Sequence, residues 1–139
     1  MRFLEGKAAE TPLTYSIIED DFLVGSDVSR NTALKELWCS YNSLTSLDVS
    51  KNTELEVLSF SGSANGNQRI ASLNVSNNTK LRSIFCGGNQ FSVSALNALF
   101  ETLHSNSGYK TIYIRDNPGT NGCNQSIATA KGWVVNVNL

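Results

Sequence analysis

Apolar residues return at a nearly fixed interval along the middle of the chain, between residues 27 and 96. Three consecutive segments each open with Asp or Asn followed by Val-Ser-x-Asn-Thr-x-Leu, and these openings begin at Asp27, Asp48 and Asn74. The repeat is therefore 21 and then 26 residues long, with an insertion of five residues between Phe60 and Ile70. One unit of this length cannot bury its apolar side chains alone, so the pattern predicts stacked units that share a core.

Each unit carries its apolar residues in the order L-x-x-L-x-L-x-x-N-x-L, which is the leucine-rich-repeat pattern. The alternation in the L-x-L part predicts a short strand with one set of side chains inside and the other outside. We therefore expect an α/β solenoid: a short leucine-rich-repeat array of parallel strands with a helical C-terminal cap. The pattern positions are Leu34, Leu37, Cys39, Asn42 and Leu44; Leu55, Leu58 and Phe60; and Leu81, Ile84, Cys86, Asn89 and Phe91.

The Asp/Asn-Val-Ser-x-Asn-Thr segment is expected to form the return arc of each unit, with its valine pointing inward. The asparagine that follows each strand has a short amide suited to bonding the backbone of a sharp turn, so these asparagines should stack into a ladder. The valines are Val28, Val49 and Val75, and the ladder asparagines are Asn42, Asn89 and Asn117.

The chain is expected to form one domain in three parts. Residues 1–26 are an N-terminal cap with a loose start, 27–96 are the three repeats, and 97–139 are capping repeats of β-α-β type. A solenoid needs such caps because its terminal repeats otherwise expose the core.

Elements at both ends follow from shorter patterns. The alternation of Leu13, Tyr15 and Ile17 predicts a capping strand, and apolar residues at helical spacing predict a helix from Ser94, as N-cap, to His104. A degenerate fourth copy of the repeat, a second short helix and a last strand complete the prediction. They comprise Tyr109, Ile112, Ile114 and Asn117 for the copy, 126–131 for the helix and 133–139 for the strand.

The segment 44–53, Leu-Thr-Ser-Leu-Asp-Val-Ser-Lys-Asn-Thr, resembles the repeats of bacterial cell-surface leucine-rich-repeat proteins of the Bacteroides type. The resemblance covers roughly residues 27–96, and such proteins are similar to internalins in architecture. It implies an exported adhesion or interaction module at the cell surface or outside the cell. The first residues, Met1 to Glu5, do not begin the long apolar segment that is typical of a signal peptide.

Composition narrows the possible functions. The 139 residues suit a single domain. The net charge is −1, and the eleven basic residues are scattered, whereas nucleic-acid binding needs a concentrated positive face. No apolar run approaches the ~18 residues needed to span a bilayer. We therefore expect neither a nucleic-acid partner nor a membrane span.

Residues with catalytic or metal-binding chemistry are few. The three cysteines form no C-x-x-C pair, and the pattern turns Cys39 and Cys86 inward, as small core residues rather than nucleophiles. His104 is the single histidine and is expected near a helix end. The acidic run 19–21 suits a solvated turn better than a calcium site, because no loop of alternating oxygen ligands accompanies it. The sequence predicts no enzyme, metal site or cofactor.

Strand side chains that point away from the core are expected to line a concave face. Read across the middle position of the strands, this face contains Trp38, Ser59, Phe85, Tyr113 and Asn136. Three aromatic residues in one row suit a binding hot spot. The alternative is that the rings pack on each other or under a neighbouring segment. The candidate ligand-binding residues are Trp38, Phe85, Tyr113, Glu36, Tyr41 and Arg115.

Several functions remain open at this point. A protein partner on the concave face is the leading hypothesis, glycan binding by the same rings is the second, and a structural spacer in a larger surface protein is the third. The insertion 62–69 is either a second contact surface or a tolerated loop. Open sheet edges are compatible with a monomer or a weak edge-to-edge dimer.

Overall fold

A computed structural model describes residues 15–17, 27–63 and 66–138. The strands form one sheet of six parallel strands, in the same order in space as along the chain. Helices appear in the last two connections. The elements are β1 (Tyr15–Ile17), β2 (Glu36–Trp38), β3 (Val57–Ser59), β4 (Ser83–Phe85), α1 (Val93–Thr102), β5 (Lys110–Tyr113), α2 (Ser126–Thr129) and β6 (Trp133–Asn136).

The repeated leucine column sets the register of the sheet. Leu37 pairs with Leu58, Leu58 with Ile84, and Ile84 with Ile112, each on an adjacent parallel strand. All four side chains are fully buried. The predicted solenoid of stacked parallel strands is thus confirmed, because the residues that share a repeat position share a column of the core.

The return arcs contribute the other wall of the core. Val28, Val49 and Val75 are buried, as predicted. Each arc opens with a side chain that accepts a hydrogen bond from the backbone two residues later, as Asp48 Oδ1 does from Ser50 N at 2.9 Å. This turn explains why Asp or Asn begins every unit.

A second amide ladder, which the sequence analysis did not anticipate, joins the arcs. Asn52 Nδ2 donates to the carbonyls of Val28 (2.9 Å) and Asn31 (2.8 Å) in the preceding unit. Asn78 Nδ2 repeats this geometry one unit later, with Val49 and Asn52 as acceptors. The asparagine of each Asn-Thr pair therefore connects neighbouring arcs in the way that strand hydrogen bonds connect neighbouring strands.

The N-cap of helix α1 lies two residues before the predicted one. Ser92, not Ser94, is the N-cap, and its Oγ accepts from Ala95 N at 3.1 Å. The apolar Val93 then occupies the first helical position, whereas the sequence pattern predicts a helix that starts after Ser94. The helix buries Leu96, Leu99 and Phe100 in the shared core. Whether α1 and α2 act as a cap, and whether the parts divide at residue 96, remain predictions.

Two further predictions concern the first strand and the degenerate fourth repeat, and they differ in outcome. Strand β1 lies where Tyr15 and Ile17 predicted one, whereas Leu13 and the acidic run 19–21 fall outside the described residues. Tyr109, expected at an interior repeat position, is 74% exposed. The loop before β5 instead bonds across to the third unit, where Asn106 Nδ2 donates to Thr79 O at 3.1 Å. Within the described ranges, no helix is long and apolar enough to cross a bilayer.

Candidate functional site

The sheet register assembles the predicted aromatic row. Trp38 pairs with Ser59, Ser59 with Phe85, Phe85 with Tyr113, and Tyr113 with Asn136. All five side chains point away from the leucine column, because successive residues of a strand face opposite sides. The row therefore exists as predicted from the sequence, on the face of the sheet opposite the core. We call Trp38, Phe85 and Tyr113 the aromatic row.

The three rings form a continuous stack. The ring centroids of Phe85 and Tyr113 are 4.6 Å apart with planes 4° from parallel, and those of Trp38 and Phe85 are 6.2 Å apart at 27°. Trp38 and Phe85 lie two strands apart, a spacing of about 9.6 Å, so their rings lean toward each other. They meet above Ser59, the small residue of the row, which is 6% exposed. The alternative of mutual packing is thus realised, yet each ring of the row stays partly exposed.

Polar neighbours hold this stack in place. Trp38 Nε1 donates to Glu36 Oε1 at 3.0 Å, which fixes the orientation of the indole. Beneath the rings, Ser59 Oγ and Ser40 Oγ are 2.8 Å apart, and Ser40 Oγ accepts from Ser61 N at 2.9 Å. The ring of Trp38 and the serines beside it are thus hydrogen-bonded within the chain itself.

Arg115 lies beside the row, two residues beyond the end of β5 at Tyr113. Its side chain lies across Gly87, two residues beyond β4, since a Cβ at Gly87 would lie 2.9 Å from Arg115 Cγ. Its contact with Asp116 is long, with 3.9 Å between Nε and Oδ2, and both side chains are about half exposed. A pair of this kind contributes little energy, so the guanidinium stays available to a ligand.

Tyr41 lies on the turn after β2 and is 54% exposed. Its φ angle is 59°, in the left-handed region, and Gly88 and Asp116 adopt the same conformation at the equivalent positions of later repeats (φ 69° and 58°). The left-handed conformation thus recurs with the repeat, and its strain at Tyr41 is no mark of function. Tyr41 borders the end of the concave face and does not belong to the strand rows.

The insertion contributes an internal residue that the sequence analysis missed. Gln68 is 2% exposed, and its Oε1 accepts from Leu44 N at 2.9 Å while Nε2 donates to Phe60 O at 3.0 Å. Asn89 does the same one unit later, accepting from Ile70 N and donating to Phe60 O. Gln68 therefore stands in the asparagine ladder of the strand ends. Its place two residues before Ile70 matches the N-x-L spacing and was the available signal.

Cys39 and Cys86 are buried, and His104 is hydrogen-bonded to neighbouring backbone atoms. Burial raises the pKa of the Cys39 thiol to about 12 and raises that of Cys86 as well, which opposes formation of a nucleophilic thiolate. His104 Nδ1 accepts from Asn106 N at 3.1 Å, so Nε2 donates to Leu81 O at 2.7 Å. In the part of the chain that the structure describes, no three His, Cys, Asp or Glu side chains are grouped to hold a metal.

A solved structure shares this architecture. No family model and no curated protein matches the chain. Among solved structures, the chain is similar to the functional domain of InlJ from Listeria monocytogenes, which is described as including a cysteine ladder. The TM-score is 0.66 at 21% sequence identity, and the match covers 90% of this chain but 24% of that one. The chain thus has the fold of an internalin-like leucine-rich-repeat solenoid and spans about a quarter of that relative.

Proposed function

We propose that this chain is a non-catalytic interaction module that binds a protein partner through its concave face. The aromatic row forms the centre of the binding surface, and Glu36, Tyr41 and Arg115 form its polar rim. The observation that carries the proposal is the continuous, partly exposed stack of three rings on adjacent positions of the sheet. A folded protein gains little by leaving three large rings together at a surface unless another molecule covers them.

The rigidity of the stack favours tight binding. Aromatic side chains are enriched at hot spots because they bury a large area with few rotatable bonds. Here the rings are already held by one another, and the Glu36 carboxylate holds the indole of Trp38. Binding therefore costs less conformational entropy than it would if flexible side chains on this face had to be ordered.

Ring geometry favours a protein over a glycan. Sugar rings stack on exposed aromatic faces, but the two faces of Phe85 lie toward Trp38 and Tyr113. The centre of the row therefore presents ring edges, which suit the edge-to-face and aliphatic contacts of protein side chains. The internalin-like fold and the sequence resemblance support an extracellular or cell-surface setting for this role.

The proposal is tested with two probes, a phage-displayed library of random dodecapeptides and an array of glycans. We expect selected peptides to bind, and Trp38→Ala or Tyr113→Ala to weaken that binding about thirtyfold, as removal of a hot-spot residue does. Tyr109→Ala is the matched control, because Tyr109 is an exposed tyrosine outside the row. Peptides that bind all variants equally, or a response from glycans alone, contradict the proposal.

A further inference from the structure

Two opposite charges lie on either side of the aromatic row. Glu36 lies two residues before Trp38 on β2, aligned across the sheet with Val57, Ser83 and Thr111. Arg115 lies on the other side, two residues beyond the end of β5 and four residues beyond Thr111. A carboxylate and a guanidinium thus lie diagonally across the rings, within the part of the sheet from β2 to β5.

Glu36 keeps its charge available. Its Oε1 accepts from Trp38 Nε1, a neutral donor, and Glu36 is partly exposed. Among the residues that the structure describes, none forms an ion pair with Glu36, whereas Glu54 and Glu56 pair with Lys80 (2.7 Å) and Arg82 (3.5 Å). A basic side chain of a partner can thus approach Glu36 without displacing an internal ion pair.

Arg115 is similarly open to a partner. Its side chain is 47% exposed, and the contact with Asp116 joins Nε to Oδ2 at 3.9 Å, beyond ordinary hydrogen-bond length. The planar guanidinium offers a fork of N–H donors that matches a carboxylate. Because Gly87 has no side chain, the stem of Arg115 lies against the Gly87 backbone, two residues beyond Phe85.

The separation of the two charges sets the length of a matching segment. Glu36 and Arg115 are three strands apart, about 14 Å, and four residues apart along the strands, about 13 Å. The diagonal between their backbones is therefore about 20 Å, which an extended chain covers in about six residues. Alternate side chains of such a chain recur about every 6.6 Å, close to the 6.2 Å between the rings of Trp38 and Phe85.

We propose that the occupant of this face is an extended segment of a protein partner that carries a basic residue at one end, an acidic residue about six positions away, and apolar residues between them. The basic end pairs with Glu36, the apolar residues cover the aromatic row, and the acidic end pairs with Arg115. This inference rests on the proposed function and adds the chemistry and direction of the partner.

The experiment selects phage-displayed random dodecapeptides on the wild-type chain and on two charge variants, Glu36→Lys and Arg115→Glu. We expect the wild-type peptides to share a basic and an acidic residue about six positions apart, with apolar residues between. Each charge variant should bind those peptides at least about tenfold more weakly and select peptides with the matching end reversed in charge. Glu54→Lys and Lys80→Glu are matched controls away from the face and should leave binding unchanged.

A neutral variant separates charge from ring position. Glu36→Gln keeps an oxygen that accepts from Trp38 Nε1 but removes the charge, so it should weaken binding and reduce its salt dependence while Trp38 fluorescence stays the same. Peptides that need Trp38 but tolerate both charge reversals overturn this inference and leave the proposed function standing. In a second library of random 20-residue peptides, charged residues about 13 positions apart indicate a helical occupant and also overturn the inference. Selected peptides that ignore Trp38 and Tyr113 overturn both proposals.

Discussion

The two halves of the solenoid return the chain to the next strand in different ways. In the described part of 27–91, the return arcs are turns connected by buried amides, as where Asn52 bonds the carbonyls of Val28 and Asn31. In 92–138, helices α1 and α2 form the returns, and α1 fills the core with Leu96, Leu99 and Phe100. Buried amides thus join the returns of the first half, whereas a helix packs apolar side chains into the core of the second half.

Both kinds of return serve the same sheet. The register continues from β3 through β4 and β5 to β6 even though the arcs give way to helices after β4. Strand spacing is fixed by backbone hydrogen bonds, so the convex side can change in thickness without disturbing the concave side. The aromatic row therefore depends on the strands and is largely independent of how each return is built.

The greatest loss of stability is expected in the helical half. Phe100→Ala removes a fully buried ring and should lower the free energy of unfolding by about 4 kcal/mol. Urea denaturation measures this loss, and Glu101→Ala, an exposed change on the same helix, should stay within about 0.5 kcal/mol of wild type. A small loss at Phe100 contradicts the claim that apolar packing holds this half.

The next greatest loss of stability is expected in the second amide ladder, which joins the return arcs. Asn52→Ala leaves the buried carbonyls of Val28 and Asn31 without this donor, so the free energy of unfolding should fall by about 3 kcal/mol. Asn77 is the matched control, because its amide makes a single exposed bond to Ser50 O at 3.2 Å. We expect Asn77→Ala to cost about 0.5 kcal/mol. Equal losses for the two variants show that the ladder does not hold the arcs together.

The smallest loss of stability tests where helix α1, and with it the second half, begins. Ser92→Ala removes the side-chain acceptor for Ala95 N and should cost about 1 kcal/mol, as loss of an N-cap does. Ser94→Ala, inside the first helical turn, should cost less than about half of that. Thermal denaturation of both variants measures the difference, and a larger loss for Ser94 restores the boundary predicted from the sequence.

Most of the strand side of the molecule was predictable from the sequence. Alternation of apolar and polar residues placed Leu37 and Leu58 in the core, and placed Trp38 and Phe85 together on the opposite face. The pairing of Tyr113 with Asn136 followed from the same alternation in the degenerate last repeats. These assignments succeed because a strand allows two faces, and burial selects between them.

Other features needed the path of neighbouring segments. Gln68 belongs to the insertion 62–69 by its place in the sequence, but its longer amide reaches Phe60 O in the core. Tyr109 fits the repeat by spacing, yet the loop after α1 is held by His104 and Asn106, and Tyr109 ends in solvent. The local sequence pattern predicts neither the burial of Gln68 nor the exposure of Tyr109, because both depend on distances between units.

Residue spacing and the two-sided geometry of a strand fix the stacking period, the inward column and the membership of the outward row, so these features follow from the amino-acid sequence. The meeting of Trp38 and Phe85 over Ser59, and the position of Arg115 across Gly87, depend on the fold. Side chains lean by several ångströms into whatever space a small neighbour leaves open. That space exists once adjacent strands are in place, so the detailed shape of the outward face depends on the assembled sheet.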